Sequence, residues 1–237
     1  MSAFLQSAGS TANLGGAATA ALAFTTQNTA AGSLLVAVVN VFPQSKILTS
    51  VTDNQGVGNI WTVLPGLAVT GGNYDVYFCY ALNTAGGSKP TVTFHFNAAT
   101  TNVYAALGEF SGVHALRTSD VGNAGSSASP TSAPISATAG DLLIGYFGGA
   151  GNISGTPTAG LTYNYGASGS ASAASYNNGF EYNLSAAGGS ITATFAIANE
   201  GWAAGIAAFV PGSSGGGGGN SSWLTVNLNN SLRGLRH

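Results

Sequence analysis

Ala31-Gly32-Ser33-Leu34-Leu35-Val36 and, 108 residues later, Ala139-Gly140-Asp141-Leu142-Leu143-Ile144 are nearly the same six residues. Two more matches follow in the same order. Ala85-Gly86-Gly87-Ser88 with Thr93-Phe94 corresponds to Ala187-Gly188-Gly189-Ser190 with Thr194-Phe195, and Tyr104-Ala105-Ala106 through Phe110 and Gly112 corresponds to Trp202-Ala203-Ala204 through Phe209 and Gly212. Ordered self-similarity at long period is the mark of a repeated structural unit, so the chain reads as two copies, about 4–113 and 118–212. The spacing shrinks from 108 between the first pair to 101 between Phe94 and Phe195, which places extra residues in copy one, assigned to Asp53-Asn54-Gln55-Gly56-Val57-Gly58-Asn59.

The units are β. Thr91-Val92-Thr93-Phe94-His95-Phe96 alternates, with Val92, Phe94 and Phe96 on one face. Asp75-Val76-Tyr77-Phe78-Cys79-Tyr80 does the same, so both read as half-buried antiparallel strands. Further strands are expected at 20–25, 33–41, 47–52, 59–64, 102–110, 141–147, 161–165, 179–184, 190–196 and 202–210. Clusters of Gly, Asn, Ser and Pro separate them as turns. No window has capped helical periodicity, except a trace in the last seven residues. One small sheet would leave an apolar face wet, and two sheets packed face to face solve this. The expected fold is an all-β, antiparallel, jelly-roll-like sandwich over 1–212, with two separate small sandwiches as the alternative.

A Gly/Ser linker at 213–220 follows, then a tail at 221–237. In the tail, Leu224, Val226 and Leu228 alternate against Trp223, Thr225 and Asn227, the pattern of a tethered strand at 223–229. A flexible tether of about ten residues spans about 17 Å root-mean-square, enough to reach a neighbouring subunit. Leu232, Arg233, Leu235 and Arg236 make a short amphipathic end.

Composition narrows function. The 237 residues include five Lys or Arg, seven Asp or Glu, three His and 36 Gly, and only 5% are charged. An ordinary soluble domain has about 25%. A net charge of -2 removes the basic footprint of a nucleic-acid binder. The apolar stretches fall short of the roughly 20 residues of a spanning helix, so no membrane insertion is expected. Residues 1–45 lack Lys and Arg, hence no secretory n-region; the chain leaves its cell by another route, such as lysis, or has lost a leader. One cysteine, Cys79, cannot close an internal disulfide.

Candidate chemistry is sparse. Asp53, Asn54 and Asn59 could supply oxygens to calcium, but Asp, Asn and Gly suit a tight turn equally. No metal and no cofactor is expected. Ser111, His114 and Glu109 could be named as a triad, yet triad members converge from separate segments. The G-x-S-x-G at 212–216 sits in the linker, without the strand-to-helix elbow. No enzyme is expected. Tyr163, Tyr165, Tyr176 and Tyr182 are candidates for stacking on a glycan or for filling the core.

Thr49-Ser50-Val51-Thr52-Asp53-Asn54-Gln55-Gly56 followed by Asn59-Ile60-Trp61-Thr62 resembles the SVTDxxGNxW/Y segment of β-sandwich modules of secreted soil-bacterial proteins and phage structural proteins. The likeness runs on through Tyr80-Ala81-Leu82-Asn83, Glu109-Phe110-Ser111-Gly112 and Ala207-Ala208-Phe209. Such modules carry no agreed activity, so the resemblance implies a fold and a setting, virion or extracellular, with no catalytic residue. The departures are the linker and tail in place of a further module, and the missing signal peptide. The leading expectation is a non-enzymatic structural subunit that self-associates or joins other structural subunits. Its assembly residues would be Trp223, Leu224, Val226, Leu228, Leu232, Arg233 and Arg236, acting by strand addition. The alternative is a carbohydrate-binding or adhesive module.

Overall fold

The computed structural model describes residues 1–10, 13–55, 58–119, 122–149, 162–164, 177–197 and 199–212. Among them are strands and no helix. In chain order the first nine are β1 (Ala3–Gly9), β2 (Thr19–Ala23), β3 (Leu34–Phe42), β4 (Leu48–Asp53), β5 (Trp61–Val63), β6 (Leu67–Ala68), β7 (Asp75–Ala81), β8 (Thr91–Phe96) and β9 (Asn102–Ser111). The rest are β10 (Val113–Ser119), β11 (Asn123–Ser127), β12 (Ile135–Ala137), β13 (Leu142–Gly149), β14 (Thr162–Asn164), β15 (Asn177–Asn183), β16 (Gly189–Ile191) and β17 (Glu200–Pro211).

All pairings of these strands are antiparallel, and the fold is consistent with a β-sandwich. One large sheet has the order β1-β9-β3-β7-β5, with β6 also on β7. The other has the order β10-β17-β13-β15-β14, with β11 also on β17. A three-stranded sheet β2-β8-β4 and a two-stranded sheet β12-β16 complete the set.

The architecture has four layers where the sequence suggested two. Leu34, Val36, Val38, Val76, Phe78 and Phe110 of the first large sheet pack against Leu142, Ile144, Tyr146, Phe180 and Phe209 of the second. The opposite face of the first sheet, Leu35, Ala37, Val39, Cys79 and Leu107, meets Val51, Val92, Phe94 and Phe96 of the three-stranded sheet. The opposite face of the second sheet, Leu143, Phe147, Ala204 and Ile206, meets Ile135, Ala193 and Phe195. Both large sheets are therefore covered on both faces. This is why β3 and β13 read as unbroken apolar runs and not as alternation. It also corrects β7: Val76, Tyr77, Phe78 and Cys79 are all buried, whereas β8 keeps the alternation of a half-buried strand. Phe78 and Tyr146 stack across the central core with ring centroids 4.9 Å apart. Small residues on β17 permit that packing, since a Cβ on Gly205 would collide with the Tyr146 ring.

Local geometry recurs at the matched segments. Gly32 N donates to Thr84 O at 2.8 Å and Thr84 N to Ser33 O at 3.1 Å, while Gly140 N donates to Ala186 O at 2.9 Å and Ala186 N to Asp141 O at 2.8 Å. Gly32 and Gly140 both have positive φ, 77° and 91°, a conformation glycine adopts without strain. A β-bulge interrupts β1 between Phe4 and Gln6, opposite Phe110 and Glu109. Another interrupts β10 between Leu116 and Thr118, opposite Phe209 and Ala208.

Candidate functional site

Three of the seven carboxylates, Glu109, Asp141 and Glu181, are buried in the protein. Glu109 is fully buried and accepts hydrogen bonds from Gln6 Nε2 at 2.5 Å, Ala30 N at 2.8 Å and Ser33 Oγ at 2.9 Å. Asp141 is also fully buried. Its oxygens accept from Arg117 Nε at 2.6 Å, a second Arg117 guanidinium nitrogen at 3.0 Å and Thr138 N at 2.8 Å. Glu181 is buried on β15. Buried charge is tolerated only when partnered, and the donors around Glu109 and Asp141 tie strands to their connecting turns. Glu109 thus faces Gln6, Ala30 and Ser33, while His114 is exposed; the named triad is not brought together.

Asp53 organises the loop after β4. Its Oδ2 accepts from Asn59 Nδ2 at 2.9 Å and from the Trp61 indole Nε1 at 2.7 Å, and its Oδ1 accepts from Gln55 N at 2.9 Å. Asn54 Oδ1 accepts from Thr91 N at 2.8 Å, and Asn59 Oδ1 from Ala85 N at 2.9 Å. Each of these oxygens is turned to an N–H. A cation needs several oxygens converging on one point; these point to separate donors, so the loop is built as a hydrogen-bonded clamp between β4, β5 and β8.

Of the four tyrosines, Tyr182 is described in full. Its ring stacks on Phe4 at 5.0 Å and meets Phe110 edge-on at 5.3 Å, so it seals the rim of the central core, and burial raises its hydroxyl above the ordinary value. Tyr163 lies on β14 opposite Glu181. Tyr165 and Tyr176 lie outside the described residues. So do Trp223, Leu224, Val226, Leu228, Leu232, Arg233 and Arg236.

A groove that the sequence reading did not single out lies where β4 and β5 diverge. It encloses about 440 Å³ and is lined by Ile47, Leu48 and Thr49 on one wall, by Val63, Leu64, Pro65 and Gly66 on the other, with Asp75 and Tyr77 of β7 as floor. Chain chemistry explains the opening. β5 and β6 both pair with β7, and the segment between them carries Pro65, which has no N–H to give, so the edge of the sheet is interrupted opposite Tyr77. Gly66 then lies over the Tyr77 ring, where a Cβ would come within 2.6 Å of Cε1.

The groove floor is polar. Gln44 Nε2 donates to Asp75 Oδ1 at 2.9 Å, and the Tyr77 hydroxyl also bonds Asp75. Burial raises the Asp75 carboxyl, and these two hydrogen bonds oppose the shift. Tyr77 is pushed up to about 12, first by burial and then by the Asp75 charge. Apolar walls over one half-buried carboxylate suit a cationic or hydrogen-bond-donating group attached to aliphatic carbon. The signal in the sequence was Leu64-Pro65-Gly66 set against an acid that begins a strand.

Fold and site together define a layered, antiparallel all-β protein with a groove at one sheet edge. Compared with protein-family models, with curated proteins and with solved structures, the chain matches none.

Proposed function

We propose that the protein is a non-enzymatic structural subunit that self-associates, in a phage virion or another extracellular assembly, and that its body is two copies of one β-unit. The observation that carries the reading is the disposition of charge. Glu109, Asp141 and Glu181 are buried, and Asp53 is turned to three N–H groups. The exterior is thus poorer in charge than the composition alone implies. Monomers normally keep a charged surface for solubility. A surface of Ser, Thr, Asn, Ala and Gly packs on a neighbour with little ion desolvation.

The recurring turns at Gly32 and Gly140 and the matching bulges in β1 and β10 support the duplication. The segment at 49–62 supports the extracellular or virion setting by its resemblance to the modules above. In this reading the tail strand 223–229 adds to a sheet edge of an adjacent subunit, main-chain hydrogen bonds giving affinity and Leu224, Val226 and Leu228 giving register. Gel filtration and electron microscopy of the full chain and of a chain ending at 212 test it. The full chain should form oligomers and the shortened chain a folded monomer. Normal assembly without the tail would refute it.

A further inference from the structure

The groove at the β4 and β5 edge faces solvent in the described body, and the chain itself contains a segment of matching chemistry. We propose that the Asp75 groove receives the C-terminal segment Leu232-Arg233-Gly234-Leu235-Arg236 of a neighbouring copy, so that subunits join head to tail. The inference rests on the self-association proposed above and names its docking site.

Three observations carry it. The first is charge. Residues 1–212 hold all seven acidic residues and only Lys46, Lys89 and Arg117 as bases, whereas residues 213–237 hold Arg233 and Arg236 and no acid. Asp75 lines the groove, its carboxylate fixed by Gln44 and Tyr77, and a carboxylate has lone pairs beyond those two bonds for an incoming guanidinium; charge-assisted pairs of this kind are the stronger hydrogen bonds. Leu232 and Leu235 match the Ile47, Val63, Leu64 and Pro65 walls, and Ile47 is 52% exposed.

The second observation is where the described chain ends. Gly212 N donates to Gly112 O at 2.7 Å, beside the Leu34 end of β3, since Leu34 pairs with Phe110. Asp75 pairs with Val41, at the other end of β3. Seven residue steps at about 3.3 Å put the exit and the groove roughly 23 Å apart along the strands. Exit and receptor are different patches at opposite ends of the sheet, so docking of the tail between copies is a heterologous contact, which propagates into a ring or a filament.

The third is direction. β4 is the outer strand of its sheet and starts at the groove, where Leu48 and Thr49 form the wall. A tail strand 223–229 laid antiparallel to β4 would run toward that wall and deliver residues 232–236 into the groove.

Sedimentation velocity on full-length chains tests this. Asp75→Asn keeps the shape of the floor and removes its charge, Ile47→Ser trims an exposed wall residue, and Arg233→Ser with Arg236→Ser removes the tail cations. Each should weaken association at least tenfold, with thermal melts confirming folded protein. At a concentration where each alone is monomeric, Asp75→Asn mixed with the double Arg variant should give a dimer that grows no further, because one intact tail meets one intact groove. Wild-type assembly that Asp75→Asn and Ile47→Ser leave unchanged, or a mixture that stays monomeric, would overturn the docking site while leaving self-association standing. A wild-type chain monomeric at every concentration would overturn the self-association reading itself.

Discussion

Replacing Asp53 by Ala removes the acceptor of three N–H groups at once: the Gln55 backbone, the Asn59 amide and the Trp61 indole. Each hydrogen bond to a charged group contributes about 1.5–3 kcal/mol when water cannot replace it. The cluster is half-buried, so water recovers part of that, and the expected loss is about 3 kcal/mol. For a body of this size, each kcal/mol moves Tm by about 2–4 °C, giving a drop of about 6–12 °C. Asp53→Asn should cost about half as much, because one carboxylate oxygen becomes an NH₂ facing donors. Thermal melts followed by circular dichroism and by tryptophan fluorescence provide the assay, run with and without millimolar calcium. The clamp account predicts no calcium effect on the wild-type Tm and an early fluorescence change in Asp53→Ala as Trp61 loses its partner. A Tm within about 1 °C of wild type for Asp53→Ala, or a calcium-dependent rise in the wild type, would refute the reasoning.

Other expectations follow from packing and burial. Burial pushes the Cys79 thiol up and Tyr77 up to about 12, so the unfolded chain ionises these groups at lower pH than the folded one. Their contribution is therefore complete below about pH 9, and each costs about 1.4 kcal/mol per pH unit between its unfolded and folded pKa. Denaturant melts should show stability falling from pH 9 upward, with a shallower fall in Cys79→Ala; an unchanged slope in that variant would count against it. Gly205→Ala, which drives a Cβ into the Tyr146 ring, should destabilise by about 1–3 kcal/mol, read as a lower melting temperature. Tyr182→Ala should lower stability through lost contact with Phe4 and Phe110, and on a glycan array it should change no signal selectively.

The sequence made the β class and most strands legible because turn residues bracket them and the apolar runs are the right length. What it hid came from context. β11, Asn123-Ala124-Gly125-Ser126-Ser127, has no apolar pattern and is a strand because it pairs with Gly201, Trp202 and their neighbours on β17. β1 and β10 were missed because their bulges break the period of two. The number of layers was hidden because burial of β3 on both faces follows from tertiary packing, although its unbroken run Leu34 to Val39 was the available hint. At the 190–196 segment, only Gly189–Ile191 forms a strand, followed by a bridge between Thr131 and Thr194.

For the site, the spacing of Asp53, Asn54 and Asn59 marked a polar loop correctly but could not say whether oxygens or N–H groups would fill it. The groove needed the third dimension, since Ile47, Leu64 and Asp75 belong to three segments that meet only in the folded sheets.

A protein that buries three of its seven carboxylates is proposed to associate through surfaces poor in charge and through its own tail. Sedimentation velocity of the full-length chain across a hundredfold concentration range measures this directly. The account predicts oligomers that grow with concentration; a single species at the mass of one chain, 23.3 kDa, throughout that range would contradict it.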